Sequence, residues 1–274
     1  MLRLAMISVI SIFLAFTSAA QADRWDFGRF VEDGSNLPGS YQRLRDNFEG
    51  VEARRIHGFS IYGGECVVGA YPDGSGKGDC TYGSVRSLLR ETSRNGRHTF
   101  AQPDQAWYAW DMLIPSEFPT YTRQTRGGYI FTQWKGMDCP HASIAHNPRR
   151  GSGNQLILRL QRTTGEHDCA ATVEINLMPM NRFKGQWRHI EVFANWSHGD
   201  DGQFLVYIDG QQRGAYQGPT LDPNIRRQNG QPSEMNHFDY GVYLCCTGGV
   251  HLIQPGTIYY ANVERARIRE RLGR

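Results

Sequence analysis

Short runs rich in aromatic and β-branched residues, separated by Gly, Pro, Asn and Asp, make up the chain from about Phe59 onward. Runs of this kind are typical of β-strands joined by turns. No run predicts a helix of more than three turns, so the pattern favours a sandwich or barrel. Between two apolar runs, Asp209-Gly210 predicts a tight hairpin turn. The clearest strands are predicted at residues 107–114, 129–135, 155–161, 172–177, 187–195, 204–208, 238–244 and 257–267.

The 274-residue chain reads as one domain after its first 22 residues, because no repeat, low-complexity linker or charge block divides residues 23–274. Hydrophobic residues at 39% and charged residues at 21% exclude a disordered chain. Residues 23–50 are mixed in character and are expected to wrap the edge of the domain. Residues 220–234 are polar, contain two prolines and are expected to form a long loop.

The N-terminus has the pattern of a secretory signal peptide over residues 1–22. Arg3 gives a positive start, residues 4–16 are an apolar run, and Ala20-Gln21-Ala22 matches a cleavage site. The apolar run is short for a membrane-spanning helix, and no later stretch is long enough to span a bilayer. We therefore expect a secreted or periplasmic protein that leaves the membrane once the signal is cleaved.

The charge of the chain is nearly balanced, with 30 Lys and Arg against 27 Asp and Glu. Removing residues 1–22 takes away Arg3 and no acid, which leaves a formal charge of +2. This balance is too even for a non-specific nucleic-acid binder. We expect a monomer that has neither nucleic acid nor membrane as a partner.

Six cysteines remain after the signal peptide, an even number that makes disulfides plausible in an exported chain. We expect Cys66–Cys80 and Cys139–Cys169, each closing a loop between neighbouring strands, although the sequence does not choose among the fifteen pairings. Cys245 and Cys246 would then be a strained vicinal pair or two free thiols. A zinc site is disfavoured because no C-x2-C pair is present.

Strand alternation gathers polar side chains on one face of three predicted strands, because residues i, i+2 and i+4 share a face. If the three strands are neighbours in one sheet, their Arg, Gln, Lys, His and Tyr side chains converge on a groove that suits an acidic polymer. For any single strand, an ordinary solvated face is the plain alternative. The three sets are Arg86, Leu88 and Arg90; Tyr129, Phe131, Gln133 and Lys135; and His237, Asp239, Gly241 and Tyr243.

The same three segments resemble motifs of the jelly-roll polysaccharide lyases. Residues 86–91 resemble their R-S-E-L-R-E strand, residues 133–135 fall where they carry Q-x-H, and residues 238–243 resemble their Y-F-K-x-G-x-Y strand. The resemblance covers most of residues 50–268. It implies an all-β, concanavalin-like β-jelly-roll sandwich of two antiparallel sheets that cleaves a uronic-acid polysaccharide by β-elimination.

Such an elimination needs the substrate carboxylate to be neutralised, a base for the C5 proton and an acid for the leaving glycosidic oxygen. By resemblance, Tyr243 is the catalytic tyrosine and Gln133 neutralises the carboxylate. Arg86 and Arg90 match the two arginines of the first motif, with Arg90 favoured for the substrate carboxylate. A tyrosine whose pKa is lowered by neighbouring cations can act as base, acid or both.

The chain departs from the motifs at two positions: Lys135 stands where the family usually has its histidine base, and Asp239 where it usually has lysine. Lysine, with an ordinary pKa of about 10.4, is a poor base at neutral pH. Either Tyr243 is both base and acid, or a nearby histidine is the base, with His141 as the best candidate. A solvent-exposed loop histidine is the alternative for His141, and Lys135 and Asp239 could simply pair with each other.

The remaining polar side chains of the three strands are expected to bind substrate: Arg86, Tyr129, His237 and Asp239. No cofactor and no catalytic metal is expected, and any bound calcium would be structural, because no dense acidic loop is visible. The alternative function is a non-catalytic, lectin-like carbohydrate-binding protein, since this fold does not fix function. The missing histidine of Q-x-H favours that alternative, whereas Tyr243, Gln133 and the two arginines favour the lyase.

Overall fold

The computed structural model describes residues 29–34, 39–63, 78–92, 105–119, 128–136, 139–147, 154–165, 168–221, 237–244 and 254–273. These residues are almost entirely strand. The strands are β1 Arg29–Gly34, β2 Tyr41–Phe48, β3 Val51–Ile61, β4 Val85–Thr92, β5 Gln105–Leu113, β6 Tyr129–Lys135, β7 Pro140–Asn147, β8 Gln155–Gly165, β9 Asp168–Pro179, β10 Trp187–Asn195, β11 Gln203–Ile208, β12 Gln211–Gln217, β13 His237–Leu244 and β14 Gly256–Ala266. The helices are α1 Asp79–Tyr82, α2 Met180–Phe183 and a 3₁₀ turn at Arg269–Arg271.

Two antiparallel sheets of seven strands form the described structure. The first has the order β1-β4-β13-β6-β7-β8-β9, and the second β12-β11-β10-β5-β14-β3-β2. This confirms the predicted all-β sandwich and makes β4, β13 and β6 direct neighbours. The segment expected to wrap the domain edge supplies an edge strand to each sheet, β1 to the first and β2 to the second.

The core lies between the sheets and is rich in aromatic rings. Tyr108 of β5 stacks on Phe238 of β13 with ring centroids 5.4 Å apart, and it meets Trp134 of β6 edge-on at 5.2 Å. All three side chains are fully buried. Aromatic pairs at these distances add to the stability that burial of their area provides.

A buried ion pair crosses this core. Glu91 of β4 and Arg265 of β14 belong to different sheets, yet Arg265 Nη2 lies 3.2 Å from Glu91 Oε1 and both side chains are completely buried. The Phe238 backbone N–H also donates to Glu91 Oε2 at 3.4 Å. The pair therefore joins the two sheets directly beneath β13.

The predicted turn at Asp209-Gly210 is confirmed between β11 and β12. Both residues have positive φ, 51° and 74°, which is the backbone of a type I′ hairpin turn. The Asp209 carboxylate accepts a hydrogen bond from the His189 backbone N–H at 3.0 Å. The turn is thus tied to the neighbouring strand β10.

Every predicted strand is present, with ends that differ by a few residues. The strands that were not predicted are β1, β2, β3, β7 and β12. No helix in the described ranges is both long and apolar enough to cross a membrane. Outside the described residues lie the signal-peptide segment, residues 222–234 of the expected loop, and Cys66, Cys245 and Cys246. Cys80 and Cys139 are disulfide-bonded, but the pairing proposed for them stays a prediction.

Candidate active site

The outer face of the first sheet carries two rows of paired side chains, which together we call the polar face. In the first row, Asp239 of β13 lies between Arg90 of β4 and Gln133 of β6. In the second row, Tyr243 of β13 lies opposite Arg86 of β4. The structure thus unites the three motif strands on one sheet face, which is the condition that the expected groove requires.

Asp239 is the centre of the first row and is completely buried. It accepts a hydrogen bond from Gln133 Nε2 at 2.9 Å and lies 3.3 Å from Arg90 Nη2. His237 Nε2 is 3.4 Å from the same carboxylate. Burial by itself would raise the pKa of the Asp239 carboxyl, but Arg90, His237 and the Gln133 amide together hold it well below its usual range. Asp239 is therefore an ionised group that is paired within the first row.

Tyr243 is the centre of the second row and keeps part of its side chain exposed. The Arg86 guanidinium lies over its ring, with Cζ 4.9 Å from the ring centroid. Arg86 is in turn held by Asp79 of α1 through Nε–Oδ2 at 3.0 Å and Nη2–Oδ1 at 2.5 Å. Asp79 therefore fixes the guanidinium in the plane that covers Tyr243.

The two rows are separated by four residues of β13, which is about 13 Å of strand. Tyr243 thus lies with Arg86, whereas Gln133, the carboxylate-neutralising residue by resemblance, lies with Arg90 in the other row. The described side chains form two adjacent polar clusters rather than one.

The structure places the three remaining basic candidates at one end of the polar face. His237 lies directly opposite Lys135, which is partly exposed. His141 lies in β7 and is 1% exposed, so the interpretation as a solvent-exposed loop histidine is wrong. Asp239 pairs with Arg90, and the suggested Lys135–Asp239 pair stays a prediction.

Tyr129 does not share the polar face, and its expected place beside Gln133 is wrong. It is 1% exposed and packs in the core on Phe131, with ring centroids 6.2 Å apart. The cause is a register irregularity of β6 against β7 between Ile130 and Thr132. An inserted residue in a strand reverses the alternation beyond it, so Ile130 rather than Tyr129 reaches the outer face. Burial raises the pKa of the Tyr129 hydroxyl far above its usual range.

Sequence reasoning missed several polar residues of this region. Ser143 of β7 pairs directly with Gln133, and Arg159 of β8 comes next in the same row. Arg159 Nε donates to Glu174 Oε1 at 2.9 Å. The alternation of small and polar residues in residues 140–147 would have predicted the strand that carries Ser143. Asp79 lies in a segment interpreted as loop, and no local signal connects it to Arg86.

The chemistry available on the polar face is that of cations, carboxylates, amides and one partly exposed phenol. Among the residues that the structure describes, no group of three or more His, Cys, Asp or Glu side chains is arranged to hold a metal ion. Proton transfer at Tyr243 next to a fixed guanidinium is chemistry that these side chains can perform.

Comparisons with known proteins give the family. A family model described as polysaccharide lyase matches residues 40–264. Among solved structures, an endo-β-1,4-glucuronan lyase from the fungus Trichoderma reesei aligns with a TM-score of 0.57 at 13% identity, over 88% of this chain and 97% of that one. An alginate lyase from a Chlorella virus aligns with a TM-score of 0.50 at 12% identity, over 95% of this chain and 100% of that one.

At these identities the structural likeness speaks for the fold alone, and that fold is the predicted jelly roll. Among curated protein sequences, none matches the chain significantly. The family model covers most of the chain, including all three motif strands. By this match the chain belongs to the polysaccharide lyase family, and it is a polysaccharide lyase.

Proposed function

We propose that this polysaccharide lyase cleaves a uronic-acid-containing anionic polysaccharide by β-elimination, with Tyr243 as the proton-transfer residue. The observation that carries the proposal is the partly exposed Tyr243 ring beneath the fixed Arg86 guanidinium, 4.9 Å away. The C5 proton leaves to the base, the C4–O glycosidic bond breaks as the C4–C5 double bond forms, and the leaving oxygen takes up a proton. A cation beside the reacting sugar stabilises the charge that develops on its carboxylate.

We propose that Tyr243 serves as both base and acid, because His141 is too far along the sheet to share one sugar with it. Tyr243 pairs with Ile130, and Ile130 pairs with Ala145 of β7. His141 is four residues from Ala145, so it lies about 13 Å along the strand and about 10 Å across two strand spacings from Tyr243. A proton donor and acceptor for one bond must lie within hydrogen-bond reach of it.

Two cations are the proposed partners of substrate carboxylates. Arg86 is nearest to Tyr243 and would serve the reacting sugar. Arg90, whose side chain is 16% exposed, would serve a neighbouring sugar of the same polymer. This exchanges the roles that the family resemblance suggested for the two arginines.

Secretion belongs to the same proposal. A signal peptide at residues 1–22 would deliver the enzyme to the periplasm or medium, where a polysaccharide substrate is accessible. The disulfide-bonded state of Cys80 and Cys139 is consistent with an oxidising compartment.

The test is a panel of glucuronan, alginate and a heparin-like glycan, with detection of the unsaturated, ultraviolet-absorbing product. Glucuronan and alginate come first, because similar folds are found in a glucuronan lyase and an alginate lyase. We expect absorbance to rise on at least one polymer. Binding of a polymer without any unsaturated product would contradict the proposal and favour a carbohydrate-binding role.

A further inference from the structure

Two facing residues of the polar face each carry a buried polar atom that has no hydrogen-bond partner. The atoms are Gln133 Oε1 and Ser143 Oγ, in residues that are 2% and 0% exposed. The two residues are directly opposite each other in the register of β6 and β7. Buried polar atoms without partners are rare in folded proteins, and two on facing residues indicate a place for a ligand group or a water molecule.

Asp239 decides which end of the Gln133 amide is left over. A carboxylate only accepts hydrogen bonds, so the amide must direct its Nε2 to Asp239, as observed at 2.9 Å. The remaining end, Oε1, is an acceptor. It therefore needs a partner that carries a hydrogen atom.

From this polarity we infer that Gln133 and Ser143 form a subsite for a sugar hydroxyl, with Asp239 as the positioning residue that sets the amide. A hydroxyl can donate to Gln133 Oε1 and also exchange a hydrogen bond with Ser143 Oγ, which donates or accepts. An ionised carboxylate has no hydrogen to offer Oε1. The subsite thus differs from the carboxylate-neutralising role that the family resemblance implies for Gln133.

The subsite lies in the row of Asp239, four residues along β13 from Tyr243. It would therefore hold a sugar that flanks the reacting one, on the side of the polar face where Lys135 and Arg90 remain partly exposed. The inference rests on the proposed function, because it takes the bound polymer to be the substrate that Tyr243 cleaves.

The decisive variant is Ser143→Ala, because an unpartnered hydroxyl contributes nothing to the fold. We expect an unchanged or higher melting temperature, since the variant removes a buried polar atom without breaking a hydrogen bond. On the polymer that the panel identifies, KM should rise about 3- to 10-fold with kcat preserved, which corresponds to one neutral hydrogen bond.

Ser87→Ala is the matched control. Ser87 is also a buried serine of the first sheet, but its hydroxyl donates to the Ser40 carbonyl at 2.7 Å. Its loss should lower the melting temperature by about 2–4 °C and leave KM unchanged. A Ser143→Ala variant that is destabilised like Ser87→Ala, or whose KM equals that of the wild type, would overturn the subsite; the latter result would mean that only water fills it.

Asp239→Asn tests the positioning role, because asparagine offers a donor as well as an acceptor and frees Gln133 to turn its amide. We expect KM to rise as in Ser143→Ala while kcat is retained, and the double variant to add little to either single one. If the KM of Asp239→Asn equals that of the wild type, the positioning role of Asp239 is contradicted.

If no polymer of the panel is cleaved, the proposed function fails. Calorimetry of cellotetraose binding to wild type and Ser143→Ala then tests the hydroxyl subsite without a uronate, and equal affinities of the two proteins would overturn it.

Discussion

Tyr243→Phe is expected to lower kcat by about 10²- to 10⁴-fold, the usual contribution of a group that transfers protons in the transition state. The phenyl ring keeps its packing against the cluster of Ile130, Ala145 and Ile157 and its place beneath Arg86. Only the hydroxyl is lost, so substrate binding and fold should be retained. Initial rates of unsaturated-product formation, measured on the polymer that the panel identifies, give the result.

Tyr216→Phe serves as the matched control for that measurement. Tyr216 lies in β12 of the other sheet, and its hydroxyl donates to the Pro219 carbonyl at 3.2 Å. The Tyr216→Phe variant loses the hydroxyl of a partly buried tyrosine that lies outside the polar face, so its turnover should equal that of the wild type. Near-normal turnover of Tyr243→Phe, with both variants folded, would contradict the assignment of Tyr243 as the proton-transfer residue.

Glu91→Ala is expected to lower the free energy of unfolding by about 3–5 kcal/mol, because it removes the carboxylate that lies beside the buried Arg265 guanidinium. Both side chains are completely buried between the sheets, 3.2 Å apart. Replacing both, as Glu91→Leu with Arg265→Met, removes the two charges together and should recover most of the loss. Urea unfolding with a common m-value gives the three free energies.

Glu174→Gln is the comparison for an ion pair near solvent. Its partner Arg159 is 2.9 Å away, but the two side chains are 12% and 24% exposed. Pairs in such surroundings contribute about 1 kcal/mol or less. If the Glu91→Ala loss were equally small, or if the double variant were as unstable as the single one, the bridge between the sheets would not have the role described.

Local pattern was enough to predict nine of the fourteen strands and the hairpin turn at Asp209-Gly210, because alternation and turn chemistry act over a few residues. The same rule failed at Tyr129, since the irregularity of β6 depends on how β6 pairs with β7 and not on its own sequence. Strict alternation could not foresee that Phe131 and Thr132 both turn inward, where the core hydroxyl of Tyr260 donates to the Phe131 carbonyl at 2.6 Å.

For the candidate site, the sequence predicted which strands carry the polar side chains but not which of these side chains form pairs. Asp79 and Arg86 are seven residues apart, yet their contact depends on how α1 folds back on β4. Asp239 was interpreted only as a departure from a motif. Its consequence for the Gln133 amide follows from the cross-strand register, which a single sequence does not contain.

Each arginine on the described polar face is paired with a carboxylate, and this pairing affects how the capture of the polymer depends on salt concentration. Arg86, Arg90 and Arg159 are joined to Asp79, Asp239 and Glu174, so this face has little net charge to attract a polyanion from a distance. Capture by an open cationic groove would weaken steeply between roughly 0.05 and 0.2 M salt, as counterion release requires. Here, kcat/KM on a uronate polymer should change by less than about 3-fold over that range, because short-range contacts are screened much less than long-range attraction.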